Sequence, residues 1–236
     1  MIYRQIRPTS KHKNKLNVKV MITKTFITAA FLLFSVSFFT QTREHKSYHK
    51  NGNLSETGHL KEDIKEGEWK FYHENGKLGI IGSYIKGQEV GEWKRYYENG
   101  KLKSIGKFKD GKPEGEFKGY FENGNLGEVV NFKDGIEEGE WKEYHASGQL
   151  KSTGNFKEGK AEGEAKGYYA SGNLQKTGNN KDGKAEGEWK EYHENGKLKS
   201  IGNFIEGKAE GNWKFYHENG SMSGSVNYIN GQEDPW

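Results

Sequence analysis

Gly67-Glu68-Trp69-Lys70-Phe71-Tyr72-His73-Glu74-Asn75-Gly76-Lys77-Leu78 is followed, 24 residues on, by Gly91-Glu92-Trp93-Lys94-Arg95-Tyr96-Tyr97-Glu98-Asn99-Gly100-Lys101-Leu102. The match is one step of a period that runs from residue 43 to residue 234 without insertion or deletion. Eight units begin at Arg43, Gly67, Gly91, Gly115, Gly139, Gly163, Gly187 and Gly211. With the first residue of each unit counted as offset 0, offset 3 is always Lys (Lys46 to Lys214), offset 5 always Tyr (Tyr48 to Tyr216) and offset 9 always Gly (Gly52 to Gly220). Such self-similarity marks a repeat architecture, in which each unit buries apolar surface only against its neighbours.

Two turn signals punctuate each unit. Asn75-Gly76 and its copies read as a two-residue hairpin loop with both residues at positive φ. Lys109-Asp110-Gly111-Lys112 and its copies read as a second turn of about four loop residues. The segments between them, such as Trp69-Lys70-Phe71-Tyr72-His73 and Ile80-Ile81-Gly82-Ser83-Tyr84, are too short for helices and rich in aromatic residues. The expected fold is all-β: an elongated, single-layer antiparallel meander of eight 24-residue, two-strand repeats. Units would lie about 9.6 Å apart, two strand spacings. A two-residue Asn-Gly loop pairs offset 6 with 11, 4 with 13, 2 with 15 and 0 with 17, and directly paired residues share a face.

That register puts a ring row on one face and Lys on the other. Gly82 falls between Trp69 and Trp93, and Gly106 between Trp93 and Phe117. Glycine is poor in strands, but here it lets a neighbouring indole lie flat on the backbone. Val130 replaces the glycine in the unit where Phe117 replaces Trp. Unit six has Ala165 for Trp and Asn180 for the offset-17 ring, so Gly154 and Gly178 would lose their cover and this unit would be the weakest joint.

The pattern G-E-W-K-x-Y-x-E-N-G-K-L, then a glycine, an aromatic and K-D-G-K, resembles the MORN-variant repeat, in the form found in the YwqK-type antitoxin family. The resemblance covers residues 43–234. It implies single-layered β-hairpin ribbons and binding of a partner, by neutralising a toxin or by scaffolding. It implies no activity: although MORN repeats accompany phosphatidylinositol phosphate kinases, nothing in this chain resembles a kinase domain.

Composition narrows the function classes. Hydrophobic residues make up 31% of the 236, too few for a large helical core, while a 14% aromatic share argues against disorder. Cysteine is absent, which excludes disulfide scaffolds, thiol nucleophiles and Cys-based zinc sites. The net charge of +4 is misleading, because seven cations and no acid lie in the first 24 residues. From residue 25 onward, 30 cations face 33 acids, so no basic patch points to nucleic acid. The cationic stretch and the uncharged Thr25–Thr42 segment read as a basic leader and signal peptide over residues 1–42, with Met21 as a possible start. Uncleaved, the segment would be a membrane anchor. The repeats occupy 43–234, and 235–236 form a short tail. The expected location is the periplasm, cell surface or exterior, or the cytoplasm if the leader does not function.

No catalytic constellation emerges. A G-x-S-x-G elbow and a P-loop are both missing. Carboxylates such as Glu68 and Glu74 recur in nearly every unit and read as solvated strand ends. The offset-6 histidines sit one whole unit apart, about 9.6 Å, too far to share a metal with bonds near 2 Å. No enzyme, cofactor or metal is expected. The candidate partner-binding residues are the rings of one face: Trp69, Trp93, Phe117, Trp141, Trp189 and Trp213, with His73, Tyr97, His145 and His193. The expected function is protein–protein interaction or scaffolding at the cell envelope by an exported protein. Its alternatives are a cytoplasmic antitoxin with a toxin partner, and membrane or glycan binding through the aromatic face.

Overall fold

A computed structural model describes residues 42–234. The segment read as leader lies outside the described residues, Thr42 apart, as does the two-residue tail. The described residues form one open antiparallel sheet of nineteen strands. Its first half runs β1 (Arg43–Tyr48), β2 (Leu54–Lys61), β3 (Ile64–Tyr72), β4 (Leu78–Ile85), β5 (Gln88–Tyr96), β6 (Leu102–Lys109), β7 (Lys112–Tyr120), β8 (Leu126–Lys133) and β9 (Ile136–Glu137). The second runs β10 (Gly139–Tyr144), β11 (Leu150–Lys157), β12 (Lys160–Ala161), β13 (Gly163–Tyr168), β14 (Leu174–Lys181), β15 (Lys184–Tyr192), β16 (Leu198–Ile205), β17 (Lys208–Tyr216), β18 (Met222–Ile229) and β19 (Gln232–Glu233). Each strand pairs with its sequence neighbours, and the two-residue strands β9 and β12 are the first halves of strands that resume as β10 and β13.

The register agrees with the sequence for three of the four pairs. Gly67 faces Tyr84, Trp69 faces Gly82 and Phe71 faces Ile80. The fourth pair is corrected: a bulge between Phe71 and Tyr72 sets Tyr72, not His73, opposite Leu78. The cause is the loop. His73 N–H donates to the Lys77 carbonyl (2.9 Å) and Gly76 N–H to the His73 carbonyl (2.9 Å), and Gly76 alone of the Asn-Gly pair has positive φ, at 79°. This is a three-residue loop, a turn closed by a left-handed glycine, in place of the two-residue loop expected. The second turn is corrected in the opposite direction. Lys109 pairs with Lys112, and Asp110 (φ 51°) and Gly111 (φ 76°) form a two-residue loop with both residues left-handed.

Seams between units keep a second bulge. Ile81 faces Lys94, then the ladder skips to Ser83 opposite Val90, with Gly91 at φ 68° absorbing the extra residues. Bulges of this kind bend a strand and increase its twist.

Little of this sheet is buried. Among the described residues the buried hydrophobic side chains are Leu60, Trp69 and Trp93. What takes the place of a second layer is the ring–glycine contact. A methyl carbon on Gly58 would run into the Trp69 indole, on Gly82 into Trp93, on Gly106 into Phe117, on Gly178 into Trp189 and on Gly202 into Trp213. In each case the ring belongs to the unit after the glycine.

Units four to six break this order in a coupled way, which corrects the reading of unit six. Val130 leaves Trp141 no bare backbone in the unit before it, and Ala165 leaves Gly154 no ring from the unit after it. Trp141 accordingly leans over Gly154 in its own unit, its Nε1 lying 2.9 Å from where a Cβ would stand. Gly178 is covered by Trp189. Neither glycine is bare: Gly178 has the regular cover, and Gly154 is covered because the departures at Val130 and Ala165 compensate each other.

Two outcomes follow. Gly82→Ala forces an indole off its seat and should cost about 1–3 kcal/mol, whereas Gly224→Ala, with nothing within 4 Å, should stay within about 0.5 kcal/mol of wild type; urea unfolding of the two variants checks the ranking. Ala165→Trp alone should destabilise, since Trp141 occupies Gly154, but should become favourable in a Val130→Gly background that lets Trp141 move back. A double-mutant cycle reads that coupling, and a single Ala165→Trp variant more stable than wild type would contradict it.

Candidate functional site

The predicted partner-binding rings fall in two rows. The offset-2 row is interleaved with the offset-17 rings and runs unbroken from Trp69 through Tyr84, Trp93, Phe108 and Phe117 to Phe132, with centroids 5.0–6.2 Å apart and mostly edge-to-face. It then breaks. Trp141 meets Phe156 at 5.9 Å, and a last run joins Trp189, Phe204, Trp213 and Tyr228. The breaks fall where Trp141 has leaned away and where Ala165 and Asn180 supply no ring. Trp69 and Trp93 are only 1% and 4% exposed, so their indoles serve the sheet itself, while the other four rings of the row are half-buried.

The second row holds His73, Tyr97, His145 and His193, and each is anchored. Their ring N–H or hydroxyl donates to the offset-5 carbonyl of the following unit: His73 to Tyr96 (2.9 Å), Tyr97 to Tyr120 (2.6 Å), His145 to Tyr168 (3.1 Å) and His193 to Tyr216 (2.8 Å). His49 and Tyr169 do the same. The row therefore ties one unit to the next, a role that the alternation of His and Tyr signals: both are flat rings with a donor at the far end. Phe121 is the exception, since it has no donor.

At that exception the face opens into a depression of about 460 Å³ lined by Arg95, Tyr97, Lys103, Ser104, Gly119, Tyr120, Phe121, Gly127, Glu128 and Glu143. Gly119 and Gly127 make its floor together; at the same two offsets every other unit has at most one glycine, the rest being Ser, Phe, Arg, Glu, Lys or Gln. Arg95 and Lys103 lie in unit three, with the Lys103 ammonium 5.4 Å from the Tyr97 ring centre. Across the floor Glu128 stands directly opposite Glu143 on the neighbouring strand. The Lys151 ammonium (2.7 Å) holds the Glu143 carboxyl below the ordinary carboxylate range, against partial burial and with help from the Ser152 hydroxyl (2.9 Å). Among the described residues no ion pair meets Glu128. The site thus offers cations on one side, one uncompensated carboxylate on the other, and rings between them.

Of the residues lining the depression, sequence reading names Tyr97 as a candidate binding ring but not Arg95, Lys103, Gly119 or Glu143. The available signal was the coincidence of glycine at offsets 4 and 12 in one unit, which only a register places side by side.

A second cluster is structural. The Lys65 ammonium lies 4.0 Å from the Trp69 ring centre and 4.4 Å from that of Phe71, and it donates to Glu56 (3.2 Å). Burial pushes the Glu56 carboxyl up, but hydrogen bonds from Lys65 and His45 outweigh it and hold the group below its usual range. The opposite face carries exposed pairs such as Glu68–Lys70 (2.9 Å) and Glu92–Lys94 (2.8 Å), which water screens so that they add little to stability.

A family model described as "MORN repeat variant" matches residues 65–86, 89–110, 113–134, 137–158, 161–182, 185–206 and 209–230, which together are more than half of the chain. A search of curated proteins finds no match. Among solved structures the chain is similar to the crystal structure of TcdB2-TccC3, at 13% identity and a TM-score of 0.22, over 82% of this chain and 13% of that one. It is also similar to TcdB2-TccC3-Cdc42, at 13% identity and a TM-score of 0.19, over 81% and 14%. The chain spans only these small shares, 13% and 14%, of the chains it matches.

The two facing carboxylates of the depression should affect stability in opposite directions. Glu128→Gln removes a like-charge pair and should stabilise the sheet by up to about 1 kcal/mol, while Glu143→Gln weakens the hold of Lys151 and should destabilise it. Denaturant midpoints measured at neutral pH check the opposite signs. Because the Glu143 carboxyl is depressed in the fold, its contribution is complete above the ordinary carboxylate range and is lost as pH falls through the lowered value.

Proposed function

The chain belongs to the MORN repeat variant family, and we propose on that premise that it is a non-catalytic, exported binding protein that holds a segment of another protein against its ring-bearing face. Repeats of this class are interaction modules, and a perfect repeat supplies no unique catalytic constellation. The observation that carries the reading is the depression at units three and four. It is the place where glycine floors, two cations, an uncompensated Glu128 and the donor-free Phe121 coincide on a surface otherwise filled by its own side chains. A partner side chain with a flat or apolar body and a cationic tip would stack on Phe121 and meet Glu128, and an acidic neighbour would meet Arg95 and Lys103. The uncharged segment behind a cationic leader supports export.

The test is site-specific crosslinking in the native cell, with a photoreactive residue at Phe121 and, as control, at Lys118 on the opposite face. One protein species should be captured at Phe121 and not at Lys118, outside the cytoplasm, and Gly119→Gln, which fills the floor, should abolish the capture. A full-length chain in the cytosol that protects against one toxin would replace this reading with the antitoxin one. Equal capture at both positions would overturn it.

A further inference from the structure

Seams between units follow one plan, with the departures at Phe121 and Trp141 described above, and among the described residues unit eight has no unit after it and unit one none before it. β18 is paired with β17 on one side; on the other, among the described residues, Tyr228 and Ile229 pair with β19 and the Asn227 carbonyl accepts from Asp234 N–H (2.7 Å), which leaves Met222 to Val226 with no strand beside them there. β1 pairs with β2 alone among the described residues. The side chains that tie each unit to the next are likewise unused at these ends. Internally, the offset-6 ring donates to the offset-5 carbonyl of the following unit, as His193 does to Tyr216. The offset-8 amide donates to the offset-7 carbonyl, as Asn195 does to Glu218 (2.9 Å). In unit eight the corresponding groups are His217 and the Asn219 amide, which have no successor among the described residues. In unit one the corresponding acceptors are the carbonyls of Tyr48 and Lys50, which have no predecessor there, and Tyr48 is 62% exposed.

We propose that a second copy of this chain completes the seam: β1 of one copy adds to β18 of another in the internal register, giving a head-to-tail assembly. Internally, offset 14 faces offset 3 of the next unit, as Ile201 faces Lys214. The same rule sets Ser225 opposite Lys46 of the second copy, Gly224 opposite Ser47 and Val226 opposite His45. A valine at offset 15 does not prevent this. The seam after Val130 keeps the pairs Val129–Lys142 and Glu128–Glu143 because the following ring, Trp141, leans into its own unit. His45 already leans that way, 5.4 Å from Trp69 and hydrogen-bonded to Glu56 (3.1 Å). The open edge is also undefended. Met222-Ser223-Gly224-Ser225-Val226 has neither charge nor proline, the devices by which edge strands refuse a partner. Since the contact joins two different surfaces by translation, it does not close at two copies.

Sedimentation velocity of the full chain, from micromolar concentrations upward, tests this. The mass should rise through a series that does not stop at a dimer. Ser225→Lys, facing Lys46, should weaken association by up to about fivefold, and Ser225→Glu at the same position should strengthen it similarly. Adding Lys46→Glu to Ser225→Lys should restore association. A monomer at all concentrations, a closed dimer, or association indifferent to charge at Ser225 would each overturn the proposal.

Discussion

An indole can lie flat on a β-sheet only where the strand beneath it carries no side chain. That steric condition organises this molecule. With no helix and no second sheet among the described residues to cover it, the ring face finds its own shelter by placing a bare glycine of one unit under the ring of the next. The contact removes apolar surface from water on both partners and excludes water from the backbone ladder between them. It also explains why so few side chains are buried while the sheet is continuous: the buried surface is a set of five repeated ring–glycine seats rather than a core.

The loops use hydrogen bonds toward the same end. On one edge, the Asn at offset 8 folds its own loop through its carbonyl oxygen, as Asn75 does to Lys77 N–H (3.0 Å), and reaches the next loop through its amide, as to the Glu98 carbonyl (3.1 Å). On the other edge, the carboxylate at offset 23 accepts from the next turn, as Glu114 does from Asp134 N–H (2.9 Å), while Gly135 N–H donates to the Pro113 carbonyl (3.0 Å). Both sets join neighbouring units, so the stability of the array is a sum over adjacent interfaces. A defect in one unit is then felt by its neighbours and little farther.

The period, the strand count per unit and the glycine–aromatic correspondence were legible in the sequence because they are steric and repeat eight times. The two turns were not, because Asn-Gly and Asp-Gly carry the same local propensity for positive φ. What separates them is long-range: the side chain of Asn75 is engaged by the following unit in a geometry that leaves only Gly76 left-handed, whereas the Asp-Gly turns reach the preceding unit through their backbone N–H groups, as Asp134 and Gly135 do. For the same reason nothing local marks Glu114, which holds a turn in the next unit. The depression was half legible. Tyr97 was already a candidate ring, but Gly119 belongs to a position where side chains vary freely, and only its place beside Glu128 gives it meaning.

That contrast bears on how a repeat acquires a distinct site at all. Where ring and glycine recur, selection on packing holds each unit to its neighbours' shape, and a single change there strands either a ring or a bare backbone. The run from Phe117 to Ala165 shows how the array accommodates change: Val130 displaces Trp141, Ala165 vacates Gly154, and the displaced ring takes the vacant seat. Such a paired exchange leaves the ladder intact on either side while freeing the intervening face from the usual row, since Trp141 no longer meets Phe132. The depression lies at the near end of this run, across units three to five, where Glu128 of unit four can face Glu143 of unit five without unravelling the strands. A feature too costly for a regular unit is tolerated there because the irregularity around it is already compensated.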